Sequence, residues 1–272
     1  MGSIPTLRTI KKSSHNGDFC DIIPFNMIVT PFKTRLFEPN ESLVDFIVEH
    51  LPRPAEGSVI VVTSKILALA QGRIVELSKP DTKDRMIKRE SEKQLRTPWC
   101  WVTFKNGEWC ANAGVDESNA HDELILMPTK VEENAKKLLA TLKRRYRLKK
   151  LGLLITDTRI YPMRVGTMGV VVGFAGIEPI KSYIGEPDLF GRKLKMTKAN
   201  IVHALAVSAV LMMGEGNERQ PLALIEDAPV TFTTKTTPMA SLTVRPKDDL
   251  YLEAYLTDAR ASRAPSKRRS SR

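Results

Sequence analysis

The run Leu151–Thr158, LGLLITDT, carries the strongest strand signal in the chain and ends on a carboxylate. Leu151–Thr156 is a short apolar run, of strand rather than helix length, and reads as a strand buried on both faces. Asp157 and Thr158 follow at once. A carboxylate just past a buried strand is held rigidly at a sheet edge. Upstream, Val131, Ala135, Leu138, Leu142 and Tyr146 recur at helical spacing and predict a helix over Val131–Tyr146. Downstream, Met168–Phe174 reads as a further buried strand.

Further out, Ser58–Thr63 (SVIVVT) reads as a buried strand, and Leu124–Met127 as a short one stopped by Pro128. Asn40 is placed to cap a helix with Leu43, Phe46, Ile47 and Leu51 on one face. The charged stretch Asp81–Arg96 reads as a helix. Trp99–Phe104 and Glu108–Ala111 read as a hairpin around Asn106-Gly107, a favoured tight-turn pair. Thr197 caps a predicted helix through Met213, and Leu222–Glu226 and Leu250–Tyr255 read as strands. Helices and strands mix without a clean βαβ alternation, which favours an α+β architecture over a doubly wound sheet.

The 272 residues are 42% apolar and 27% charged, the composition of a globular protein. No stretch approaches the roughly 18 apolar residues of a membrane helix. The first thirty residues lack a signal-peptide core, so a cytoplasmic location is expected. Three cysteines without metal-ligand spacing (Cys20, Cys100, Cys110) point to free thiols. The four histidines are scattered, and His50 and His203 lie in helix-like runs. The net charge of +11 is partly local: six Lys and Arg lie between Arg260 and Arg272, and another six between Lys143 and Lys150. The Ser, Ala and Pro between the terminal cations predict a disordered basic tail over 258–272. Residues 1–20 read as a variable leader, leaving 21–257 as the folded domain. A basic nucleic-acid-binding protein is the rival reading. Against it, no binding motif is present and the basic residues are not interleaved with aromatics in the sequence.

Common nucleotide motifs are absent. There is no GxxxxGK[ST] loop, no GxSxG elbow, and the spacing of Gly166, Gly169, Gly173 and Gly176 is wrong for GxGxxG. Two acids share one local setting. Asp116 follows Trp109–Ala111 through the turn Asn112-Ala113-Gly114, and Asp157 follows its strand directly. If both strands end on one sheet edge, the carboxylates come close enough to share Mg²⁺ or Mn²⁺, hard cations that take oxygen ligands. Thr158 adds a hydroxyl, Asn119 an amide, and Glu215 sits in the turn Gly214-Glu215-Gly216 after the long helix. Each acid taken singly is more often a cap or turn residue.

Several blocks resemble the coenzyme F-420:L-glutamate ligase family: KTRLFEPNESL (33–43), VVTSKILALAQGR (61–73), ANAGVDESN (111–119), ITDT (155–158), VVVGFAGIEPI (171–180), DLFGRKLKMT (188–197) and MGEGNERQP (213–221). They occur in family order over roughly residues 28–256, and ANAGVDESN is the most specific. KTRLFEP and the segment from Asp188 look closer to bacterial members.

The resemblance implies a two-lobed γ-glutamyl ligase fold, a homodimer and a catalytic scheme. A nucleoside triphosphate, typically GTP, would activate a carboxylate as an acyl phosphate, and the amine of L-glutamate would then attack it. Two divalent cations, Mg²⁺ or Mn²⁺, would sit at the phosphates. Carried over position by position, Asp116 and Asp157 resemble ligands of the first metal, and Thr158 and Glu215 ligands of the second. Val29, Thr30, Pro31, Phe32, Ser64, Lys65, Asn119, Met213, Gly214, Gly216, Asn217 and Gln220 resemble the nucleotide contacts. Coenzyme F-420-0 and a folate are the candidate acceptors. This chain departs from the family at Leu69, where many members have a lysine expected to touch the phosphates; Lys65 lies one helical turn earlier. That single departure is the support for a third reading, a family scaffold without catalysis.

Overall fold

The computed structural model describes residues 26–251, apart from 119 and 121. The expectations for the leader, the tail and Asn119 lie outside the described residues. In chain order the first half is β1 (Ile28–Phe32), α1 (Leu43–His50), β2 (Ser58–Thr63), α2 (Ser64–Ala70), β3 (Ile74–Glu76), α3 (Thr82–Glu90), β4 (Lys93–Arg96), β5 (Trp101–Lys105), β6 (Glu108–Ala111) and β7 (Glu123–Ile125). The second half is α4 (Val131–Tyr146), β8 (Leu151–Ile160), β9 (Thr167–Ala175), β10 (Ile180–Ser182), β11 (Lys198–Asn200), α5 (Ile201–Met213) and β12 (Leu222–Glu226). Mixed sheets with helices make this the α+β architecture read from the sequence.

The central sheet has the order β1-β12-β2-β8-β9. Only β2 and β8 pair in parallel; their neighbours are antiparallel. Alternation decides which side each residue serves. Ile60, Val62, Leu151, Leu153 and Ile155 face one core with Phe46, Ile47, Leu138 and Leu142 of α1 and α4. Val59, Val61, Leu154, Val171 and Ile225 face the other, against α5. Both faces are therefore covered by helices, which is why β2 and β8 are apolar without interruption. The sequence's glycine run serves this packing. A Cβ on Gly169 of β9 would lie 2.6 Å from the Ala206 carbonyl, so only glycine lets α5 approach so closely.

A smaller core joins Ile87 of α3 to Ala113, Val115, Leu124 and Leu126. Over it lies the three-stranded meander β4-β5-β6. Its β5–β6 turn is the expected Asn106-Gly107 pair, with φ of 52° and 84°. Such positive angles suit Asn and Gly.

The structure corrects several boundaries. The α1 cap is Ser42, whose side chain accepts from the Asp45 N–H, while Asn40 lies in the left-handed region at φ 62°. The predicted helix Asp81–Arg96 stops at Glu90. Lys93–Arg96 instead pairs with Trp101–Phe104, because pairing with β5 outweighs helix propensity there. The α5 cap is Asn200 rather than Thr197, since Lys198–Asn200 is taken into a ladder with β10. Leu250 and Tyr251 have helical, not strand, backbone, and the rest of that predicted strand lies outside the described residues.

Candidate functional site

The chain runs directly from the end of β2 into α2, so Ser64 and Lys65 stand where the sheet stops. Thr63 is the last β2 residue and pairs with Thr156 of β8. Beyond that point β8 continues to Ile160, paired only with β9. Asp157 is thus not past the strand, as its sequence suggests, but inside it, at the first position where the parallel neighbour is missing. That placement opens its side chain to a cavity of 1030 Å³.

The walls of this cavity come from separate parts of the chain. Asp157 and Thr158 come from β8, Ser64 and Lys65 from α2, Asp116 from the segment after β6, and Glu215 from the loop after α5. Asp116 is fixed by a two-way backbone bridge with Ile125. The Lys65 ammonium lies 2.8 Å from Asp116 Oδ2 and 3.0 Å from the Ser118 carbonyl. Burial alone would raise the Asp116 carboxyl, but Lys65 and the Ser118 donors hold it below the usual range.

Asp157 is paired too. Arg159, on the same face of β8, donates to its carboxylate and to the Thr158 carbonyl. The Arg159 side chain is 12% exposed, and its buried Nε has no partner among the described residues. Burial works against the charge of Arg159, but Asp157 outweighs it and keeps its pKa raised. Glu108 of β6 lies near this pair and is pushed up by its own burial, with Arg159 lowering it and Asp157 raising it.

The loop after α5 is built to turn. Gly214 has φ 84°, and a Cβ there would meet the Glu218 carboxylate at 2.4 Å. Gly216 N–H donates to Glu218. The Gln220 amide, oriented with its nitrogen inward, lies 3.2 Å from the Met212 and Met213 carbonyls and closes the helix end. Glu215 itself is held above its ordinary pKa, first by partial burial, then by Asp157 and Glu218, with Lys65 opposing. Asp116, Lys65, Glu215 and Asp157 therefore form one electrostatic neighbourhood.

Sequence-predicted residues divide into two groups. Ser64, Lys65, Asp116, Asp157, Thr158, Met213, Gly214, Glu215, Gly216, Asn217 and Gln220 line the cavity, as does Leu69. Val29–Phe32 do not; they form the edge strand β1, and the chain reaches the cavity only from Thr34 onward. Thr34 N–H donates to the Arg219 carbonyl and ties that segment to the α5 loop. Sequence reading missed Ser118, Arg159 and Glu108. Only Arg159 left a signal, its two-residue spacing from Asp157 on a strand.

The side chains of Asp116, Asp157, Thr158 and Glu215 offer oxygen to the cavity, which suits a hard divalent cation. Among the described residues, no three His, Cys, Asp or Glu converge on one point. Hydroxyls and carbonyls would have to complete any ligand set. The Asp116 position fits a cation on direct grounds, because an ammonium already sits there. Cations and rings, separate in the sequence, do meet in the meander: Lys88 and Arg96 lie over Trp101, and Lys93 over Phe104. These are contacts within one chain, and Trp101 Nε1 is already bonded to Asp84.

This is an α+β protein in which Asp116, Asp157 and Glu215 gather from three chain segments around one large cavity. Residues 31–227 match the family described as F420-0:Gamma-glutamyl ligase, and the chain belongs to that ligase family. It is 34% identical to the coenzyme F420:L-glutamate ligase of Methanothermobacter thermautotrophicus over 193 residues, 64% of this chain and 76% of the relative. It is 30% identical to that of Methanosarcina mazei over 210 residues, 71% and 82% of the two chains. With that of Archaeoglobus fulgidus it shares 31% over 212 residues, 70% and 83%. Among the described residues no helix is long and apolar enough to cross a membrane.

Proposed function

We propose that this ligase joins L-glutamate to a carboxylate acceptor through an acyl phosphate, at the expense of GTP and with divalent cations. The observation that carries the reading is the convergence of Asp116, Asp157, Thr158 and Glu215 on one cavity, with the Lys65 ammonium on Asp116. A carboxylate is a poor electrophile. Transfer of the γ-phosphoryl group to it creates a leaving group, and the glutamate amine then displaces phosphate as the amide forms. Asp116 and Asp157 would hold one Mg²⁺ or Mn²⁺, and Thr158 and Glu215 a second. Bound there, the ions would offset the negative charge spread over the phosphoryl oxygens.

The chain's own residues supply the rest. Lys65 and Ser64 would meet the phosphates, and Met213, Gly214, Gly216, Asn217 and Gln220 would wrap the nucleotide, with Asn119 as a further contact. Arg159 holds the Asp157 carboxylate in place. Leu69 removes one cation from the phosphate region. Leu69→Lys should therefore lower the KM for nucleotide by about tenfold, the worth of one charge-assisted hydrogen bond; an unchanged KM would place the phosphates elsewhere.

Coenzyme F420-0 is the acceptor that the family's description favours, and a folate is the alternative. The test is incubation with GTP, Mn²⁺ and glutamate plus either acceptor, read by mass spectrometry. Added glutamyl residues on one acceptor identify it. No addition to either, from folded protein, removes the reading. A cytoplasmic homodimer completes the proposal. Its support is α5, whose Val207, Leu211 and Met212 stay exposed on a helix that is apolar all round. Leu211→Asp should give a monomer in sedimentation.

A further inference from the structure

The contact between Lys65 and Asp116 is built differently from an ordinary surface ion pair. Three oxygens surround the ammonium: Asp116 Oδ2 at 2.8 Å, the Ser118 carbonyl at 3.0 Å and Ser118 Oγ at 3.3 Å. The oxygens are themselves organised. The Ser118 N–H and hydroxyl each donate to an Asp116 carboxylate oxygen at 2.8 Å, so the loop folds back on the acid. The Asp116 backbone is pinned to Ile125 in both directions. A carboxylate, a main-chain carbonyl and a hydroxyl are also what a hard divalent cation takes as ligands.

We propose that Lys65 is a built-in place-holder: its ammonium fills the oxygen cage of Asp116 and Ser118 until a divalent cation displaces it, and Ser118 is a ligand of that cation. This rests on Asp116 being a cation position, as argued above. A divalent ion bound to the same carboxylate oxygen as the ammonium would repel it at a separation of only a few ångströms. The ion would sit about 2.0–2.6 Å from its ligands, closer than the ammonium does, and would compete with it for the same three oxygens, so its entry favours the release of Lys65. The side chain leaves α2 at its first turn, in the field of Glu215. Displaced, it stays in the cavity, free to meet an anionic oxygen. Cation binding and the arming of Lys65 are then one event. The place-holder also keeps the acid neutralised while no ion is bound.

The experiment is Mn²⁺ titration of the full chain without nucleotide, followed by calorimetry, with melting temperatures taken alongside. Lys65→Met removes the competitor. It should bind Mn²⁺ at least tenfold more tightly, and without metal it should melt lower than the wild type. Ser118→Ala keeps the carbonyl but loses the hydroxyl, and should bind Mn²⁺ severalfold more weakly. Unchanged or weaker Mn²⁺ binding by Lys65→Met overturns the place-holder role, and unchanged binding by Ser118→Ala overturns the ligand assignment. Asp116→Asn separates the two layers: if it binds Mn²⁺ as the wild type does, the cation position itself is wrong. A measurement on the unmodified chain guards against a variant that fails to fold. Acylation of lysines, mapped by mass spectrometry, should label Lys65 faster when Mn²⁺ is added. Equal labelling with and without Mn²⁺ overturns the displacement.

Discussion

The two carboxylates at the centre of the cavity stand on unlike supports. Asp157 is inside a ten-residue strand of the central sheet, flanked by Leu153, Leu154 and Ile155, all with no exposed surface. Asp116 sits on a short segment between the meander and β7, above a core of five buried residues. The first support holds its backbone through packing, with Arg159 bonded to the carboxylate. The second holds it through hydrogen bonds: the bridge to Ile125, the turn at Ser118 and the ammonium of Lys65. A rigid wall opposite a hydrogen-bonded arm suits a site that must admit and release a charged ligand, because low local stability is concentrated on one side.

Asp157→Asn tests the rigid wall most severely. Asparagine keeps the shape but loses the charge needed by a cation, and ligation should fall by about a hundredfold or more. Stability should fall as well, by about 1–3 kcal/mol, because the buried Arg159 loses its anionic partner. A site that merely crowded like charges would gain stability from the same change; the ion pair removes that expectation. Turnover with saturating Mn²⁺ and a denaturant melt decide both parts. Near-normal turnover would take Asp157 out of the chemistry.

The two supports also differ in how legible they are in the sequence. The bounds of β2, α4 and β12 follow from apolar runs and helical spacing alone, because each buries its pattern against the large core. The meander follows only in part: Asn106-Gly107 signals its β5–β6 hairpin, but nothing signals the strand before it. Its first strand, Lys-Gln-Leu-Arg at 93–96, has every residue exposed and carries no period-2 apolar signal. It is a strand because β5 offers it hydrogen bonds, a tertiary cause that leaves no local trace. At the site, the acids were legible through their family-like blocks. Ser118 and Glu108 were not, since their roles depend on which segments the fold brings together.

Core truncation should separate the supports quantitatively. Leu153→Ala empties a fully buried position in the central sheet and should cost about 3–4 kcal/mol in global stability. Ile87→Ala, 1% exposed in the small core, should cost about 2 kcal/mol, because fewer neighbours surround it and they collapse more easily. Denaturant unfolding gives the sums. Hydrogen exchange locates them: the Ile87 variant should loosen amides of β5 and β6 while β8 stays protected. Equal loosening of both would mean the meander and the sheet unfold as one unit.

A smaller effect concerns the joint between them. Glu90, at the end of α3, accepts from Arg73 at 2.7 Å and from Lys105 of β5 at 3.0 Å. The two cations together outweigh the burial that would otherwise raise its carboxyl and hold it below the usual range. Glu90→Gln leaves two cations facing each other across a neutral group and should cost about 1–2 kcal/mol. The same exchange experiment should show the loss in β5 first. No change would mean that the small core alone fastens the meander.

The smallest expected effect lies on the rim of the rigid side, and it is one of pH. Arg35 bonds Glu41 and Glu49 and lies 4.9 Å from the centre of the Phe46 ring. The hydrogen bond from Arg35 is the main cause that lowers the Glu41 carboxyl from 4.5 to about 2. A carboxylate lowered on folding binds fewer protons in the folded chain than in the unfolded one. Its contribution is therefore complete above pH 4.5 and is lost as pH falls from there toward about 2. The Glu41 side chain is 21% exposed and that of Arg35 41%, so solvent and salt reach and screen the pair and the effect on melting is slight. Glu41→Gln should flatten the acid side of the stability curve between those two pH values and leave it unchanged at neutral pH apart from a small uniform offset. In 1 M salt wild type and variant should converge. A steep acid transition that persists in Glu41→Gln would assign it to the other carboxylates held below their usual range, Asp116 and Glu90 among them, and would make the hydrogen-bonded arm and its joint, not the rim, the acid-sensitive part of the molecule.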